Sequence, residues 1–158
     1  MSKLVNPHGQ TSLKPLLLKN EERDEEIKKA EKLKKIPMSS RELSDLLMLG
    51  MGAYTPLNGF MCEEDWKSCC LDLKNSEGLF WPIPITLSVE KNLGDSIQIN
   101  EEMSLVNEKS KIFGTIEVKE KYSIDKDFEC KNVFKTIDPN HPGVKKVFNQ
   151  GTINIGGP

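Results

Sequence analysis

Gly52-Ala53-Tyr54-Thr55-Pro56-Leu57-Asn58-Gly59-Phe60-Met61, GAYTPLNGFM, sets turn formers beside large apolar groups. Pro56, Asn58 and Gly59 favour a bent chain. Tyr54, Leu57, Phe60 and Met61 carry more apolar surface than a solvated loop requires. The segment is therefore expected to fold inward and to hold two elements at a fixed angle.

Upstream, Ser39 with Glu42 three residues on reads as a capping box that opens a helix, with Leu43, Leu46 and Leu47 at helical spacing and Gly50 or Gly52 ending it. Pro37 stops an earlier helix, Glu21 to Lys35, whose acidic start and basic end complement the helix dipole. Ile27, Ala30 and Leu33 form its thin apolar face, and its charge run is expected to be a solvated surface. Residues 1–20 read as an extended arm, broken by Asn6, Pro7 and Gly9 and anchored by Leu13, Leu16, Leu17 and Leu18.

Downstream, Glu63 and Glu64 open a third helix, with Trp66, Cys69, Cys70 and Leu73 on one apolar face. From residue 79 the period changes to two. Pro82 and Pro84 mark a strand entry or edge; Ile85, Leu87 and Val89 alternate with Thr86 and Ser88 as in a half-buried strand. Gly94-Asp95 reads as a turn, followed by strand runs at Ile97 and Ile99, Leu105-Val106, and Ile112 to Val118, with a turn at Asn107 to Ser110. Helical patterns return at Asp125 to Phe134 and after His141-Pro142-Gly143, and Gly151 to Ile155 reads as a closing strand. The expectation is one α+β domain over 1–158: arm 1–20, mainly helical 21–75, mainly strand 79–119 and mixed 125–158, its strands forming a small barrel or curled sheet.

At 158 residues, 37% hydrophobic and 29% charged, the chain is expected to be a globular domain that folds without staples. Its net charge of −2, pI of about 5.8 and only two arginines, Arg23 and Arg41, argue against nucleic acid as a partner and leave few forked sites for phosphate or sulfate. No apolar run reaches the length of a membrane span, and no signal peptide is read. The four cysteines, Cys62, Cys69, Cys70 and Cys130, lack zinc-knuckle or redox spacing and are expected to be free thiols of a cytoplasmic protein.

Six strings in order extend the argument. Pro7-His8-Gly9, Arg41-Glu42-Leu43-Ser44-Asp45-Leu46, GAYTPLNGFM, LFWPIPITLS at 79–88, Glu120 to Val144 and Gly156-Gly157-Pro158 together resemble the N-terminal domain of the ATP sulfurylase (sulfate adenylyltransferase) family. Asp65-Trp66, LFWPIPITLS and the EKYSIDK stretch look most like its dissimilatory branch. The resemblance implies a PUA-like β-barrel with flanking helices. It also implies a family reaction in which MgATP and sulfate give adenylyl sulfate and diphosphate, at a catalytic domain carrying Q-x-R-N and H-x-x-H motifs. Neither motif occurs in this sequence, nor does a phosphate-binding glycine loop.

No catalytic, cofactor-binding or metal-ligating residue is therefore assigned. His8 and His141 read as turn residues, Trp66 and Trp81 as core, and Lys145-Lys146 as solvated. The leading expectation is a folded, inactive N-terminal domain whose partners are the catalytic domain and other copies of itself. The alternatives are a stand-alone PUA-like module binding RNA, and a small enzyme using Cys69 or Cys70 as nucleophile.

Overall fold

The computed structural model describes residues 5–158, so the first four residues of the expected arm lie outside the described residues. The chain divides into two compact units. One holds the described residues up to Gly59, Glu102–Glu117 and Pro158; the other holds Phe60–Glu101 and Val118–Gly157.

In the first unit, helix α1 spans Asn20–Ala30, with Glu21 and Glu22 in its first turn and Lys28 and Lys29 in its last. It ends before Lys35, the expected limit, because Lys35–Pro37 forms strand β1 instead. β1 pairs in parallel with β3 (Glu102–Val106), setting Ile36 opposite Leu105, and both are fully buried. Tertiary pairing here overrides the helical propensity of a lysine-rich stretch. Helix α2, Ser40–Gly50, carries the expected capping box of Ser39 and Glu42.

β4 (Ile112–Glu117) pairs antiparallel with β3, giving the order β1-β3-β4 with a register shift at Leu105/Val106. The Ser104 N–H donates to the Lys34 carbonyl on the β1 side. Ser104 and its opposite number Thr115 are therefore a non-hydrogen-bonded pair, and the backbone groups of Thr115 point away from β3. β4 is an edge strand.

The arm is fixed otherwise than its leucines suggest. Leu13, Leu16, Leu17 and Leu18 are all exposed. The backbone does the anchoring: the Leu16 N–H donates to the Gly50 carbonyl at 2.8 Å and the Lys14 N–H to Thr55 Oγ1 at 3.0 Å. Gly52 permits this approach. Its φ is +79°, and a Cβ there would lie 3.0 Å from the Pro15 nitrogen.

In the second unit, α3 (Glu63–Asp72) buries Trp66, Cys69 and Cys70. Leu73 leaves the expected apolar face, because it terminates the helix in a left-handed conformation, φ 55°, and is exposed. The strand expected over 80–89 contracts to β2, Leu87–Val89. All three of its residues are buried, so the alternation signals no solvated face; the Ser88 hydroxyl is satisfied inside by the Gly151 N–H at 3.2 Å. A helix, α4 (Lys91–Ser96), replaces the expected turn at Gly94-Asp95, and the strand run expected at Ile97 and Ile99 is instead irregular chain and turn. Lys121 stabilises its end from outside, its Nζ donating to the carbonyls of Gly94 at 2.8 Å and Ile97 at 2.5 Å.

β5 (Glu120–Ser123) has no counterpart in the sequence expectation. It pairs antiparallel with β6 (Ile153–Gly156), which also pairs with β2, giving a second sheet of order β2-β6-β5. Helices α5 (Lys126–Val133) and α6 (Pro142–Phe148) are capped at their N-termini by Asp125 and His141. Cys130, Val144 and Val147 form one buried cluster with Phe134 against it; Trp66, Cys70 and Tyr122 form another with Ile124, Phe128 and Val133.

Candidate functional site

Two of the six strings meet in the first unit. Arg41 and Asp45 are one turn apart on α2, and the Arg41 guanidinium donates to Asp45 Oδ2 at 3.0 Å. The turn after α2 brings the Tyr54 hydroxyl to Asp45 Oδ1 at 3.1 Å. Glu42, between them on the helix, accepts from the Ser39 N–H at 2.8 Å and the Ser39 hydroxyl at 2.7 Å, and lies 3.8 Å from Arg41. Glu42 and Asp45 are both buried. Burial pushes the Asp45 carboxyl above its ordinary value, against the opposing pull of Arg41 and the Tyr54 hydroxyl. Burial first, then the Asp45 charge, pushes the Tyr54 phenol up to about 12.

The cluster turns Arg41 toward carboxylates of its own helix. A guanidinium that binds a phosphate or sulfate presents its fork outward, whereas Arg41 faces two carboxylates and Arg23 lies 3.5 Å from Asp24. Chemically the arrangement is a brace from helix to turn. Sequence reading missed it as a cluster, although the signal was present: Arg41 and Asp45 at i and i+4 just before an aromatic in a turn.

The second unit holds a comparable closed group. Trp66 Nε1 donates to buried Glu129 at 2.7 Å, and the Tyr122 hydroxyl donates to the Met61 carbonyl at 3.0 Å. The Trp66 ring lies 5.8 Å from that of Tyr122 and 5.5 Å from that of Phe128. Trp66 is thus core, as expected, while Trp81 is half-buried.

His141 Nδ1 accepts from the Gly143 and Val144 N–H groups, the structural role read for it; His8 lies exposed in a turn. Cys69 and Cys70 are buried, and burial drives both thiols upward, that of Cys69 to about 12. Raised thiols make poor nucleophiles at neutral pH. Among the described residues no group of three or more His, Cys, Asp or Glu side chains could hold a metal ion, and no helix is long and apolar enough to cross a membrane.

Short sheets interleaved with helices, and polar clusters turned inward, define a mixed α+β domain. The chain belongs to the PUA-like domain family, whose model matches residues 5–158. It is 55% identical to the sulfate adenylyltransferase of Syntrophobacter fumaroxidans over 100% of this chain and 39% of that protein. It is 51% identical to that of Chlorobium chlorochromatii over 98% of this chain and again 39% of the relative. The similarity falls in the N-terminal region of these proteins, so the chain spans about 39% of the length of the curated relatives it matches. Among solved structures, a hexameric APS kinase from Thiobacillus denitrificans superposes with a TM-score of 0.68, covering 77% of this chain and 24% of that one at 24% identity, a likeness of fold.

Proposed function

We propose that this chain serves as the non-catalytic N-terminal domain of a sulfate adenylyltransferase, of the dissimilatory type, acting in the cytoplasm. The observation that carries the reading is the 51–55% identity to sulfate adenylyltransferases over essentially the whole chain, confined to 39% of their length. In this reading MgATP and sulfate are substrates of the longer protein, bound by a catalytic domain beyond residue 158. This domain supplies a folded support and contacts between copies. The small barrel implied by the family belongs to the same proposal, supported by the PUA-like match over 5–158. The clusters around Asp45 and Glu129 favour a structural role, since Arg41, Tyr54 and Trp66 each direct a donor to a buried carboxylate of this chain.

The test is sulfate-dependent release of pyrophosphate from MgATP by the purified 158-residue chain and by the full-length protein that carries it. Activity is expected only in the longer protein. Turnover by the 158-residue chain, above that of a mock preparation, would overturn the reading.

A further inference from the structure

We propose that the outer edge of β4 is a docking site for an extended segment, and that its occupant is the stretch of chain following Pro158 in the full-length protein. The proposal rests on the reading above only in requiring a longer chain, which relatives matched over 39% of their length supply.

The backbone already starts this pairing. The Lys119 N–H donates to the Gly156 carbonyl at 2.8 Å, and the Glu117 N–H donates to the Pro158 carbonyl at 3.0 Å. These two bonds run antiparallel, two residues forward on one segment for two back on the other, after a one-residue shift from the β5–β6 register, in which Gly156 lies opposite Glu120. A hydrogen-bonded antiparallel pair exchanges two bonds; proline lacks an N–H, so Glu117 and Pro158 can share only one. Proline is tolerated at the first position of an edge strand, where it leaves the register intact.

The next backbone groups on that edge belong to Thr115. Its N–H and C=O point away from β3, because Ser104 opposite it bonds toward β1. Among the described residues they meet no hydrogen-bonding partner, although the Thr115 side chain is engaged, its Oγ1 donating to Glu26 at 2.9 Å. An open edge strand is a template for another strand. The register set by Glu117 and Pro158 places the second residue after Pro158 opposite Thr115. The three-stranded sheet would become β1-β3-β4 plus one added strand, and the catalytic portion would leave this domain along a paired segment rather than a free linker.

Amide hydrogen exchange at Thr115 tests this, compared between the 158-residue chain and the full-length protein. The amides of Met103 and Ile116, which pair across β3 and β4, report whether the sheet is folded in each. The expected result is fast exchange at Thr115 in the short chain and exchange slowed about 100-fold or more in the long one. Fast exchange at Thr115 in the long protein, with Met103 and Ile116 protected, would overturn the proposal. So would protection in the short chain that rises with its concentration, which would assign the edge to a second copy. Sulfate-dependent activity of the long protein is read separately, so either proposal can fail while the other stands.

Discussion

In the first unit the buried carboxylates of Glu42 and Asp45 share a helix with their countercharge, Arg41. In the second, buried Glu129 takes its hydrogen bond from the indole of Trp66, 63 residues away in sequence. The first arrangement forms almost entirely from local chain: one helix, its cap and the turn that follows. The second exists only when α3 and α5 are packed together. The cost of disturbing each unit should therefore differ, and matched substitutions can measure it.

Glycines give the largest expected contrast. At Gly151 a Cβ would lie 2.2 Å from the Val89 carbonyl oxygen and 2.3 Å from its carbon, backbone atoms fixed in the β2–β6 pairing. Gly151→Ala should cost ~3 kcal/mol or more, measured by urea unfolding. At Gly50 the nearest atom is a Leu17 methyl at 3.2 Å, the end of a flexible, exposed side chain. Gly50→Ala should be neutral or stabilising by up to ~1 kcal/mol, as alanine is the better helix residue. Equal effects would show that the two units are equally tolerant and break the comparison.

Hydrogen-bond deletions come next. Trp66→Phe keeps an aromatic ring but removes the indole donor from a buried carboxylate, at an expected ~1–3 kcal/mol. Tyr54→Phe removes a donor from Asp45, which retains Arg41, and should cost under ~1 kcal/mol. A larger loss at Tyr54 than at Trp66, in the same unfolding assay, would reverse the ranking of the two units.

The same contrast explains what the sequence disclosed. The capping box of Ser39 and Glu42 and the helix after it were legible because the signals lie within four residues of each other. The buried face of Trp66, Cys69 and Cys70 followed from helical spacing. β1 was illegible because its only reason to be extended is β3, about seventy residues on. β5 failed similarly: Lys121 and Tyr122 carry no alternating pattern, and β6 supplies their pairing. The arm misled in the opposite way, its four leucines suggesting burial while backbone hydrogen bonds hold it. At the site, the i, i+4 spacing of Arg41 and Asp45 was visible in the sequence, but the closure of Tyr54 onto Asp45 needed the turn geometry.

Acid titration sharpens the comparison from the first unit's side. The folded state raises the Asp45 carboxyl above its ordinary value of 3.8. A raised carboxyl contributes stability that is fully present below 3.8 and is lost as pH rises through the folded value. Asp45→Asn abolishes this dependence. Wild type should therefore gain stability relative to the variant as pH falls toward 3.8, read as a difference in urea midpoints across a pH series. A gain on raising the pH instead would mean that the attraction of Arg41 outweighs burial.

The smallest effect is spectroscopic and needs no substitution. Tyr54 and Tyr122 are the only tyrosines, one in each unit. Burial pushes Tyr54 to about 12 and Tyr122 further still, its hydroxyl donating to the Met61 carbonyl inside the second unit. Tyrosinate absorbance of the native protein should stay flat through pH 10, where an ordinary tyrosine is half ionised. It should first rise near 12, from Tyr54 alone. Because the folded value is raised, the stability linked to Tyr54 is whole below pH 10 and declines as pH climbs through about 12. Tyr54→Phe should erase that first rise while leaving the later one, which reports unfolding around Tyr122. If Tyr122 ionised first, the aromatic core of the second unit would be the looser of the two, and the ranking of Trp66→Phe above Tyr54→Phe would have to be inverted.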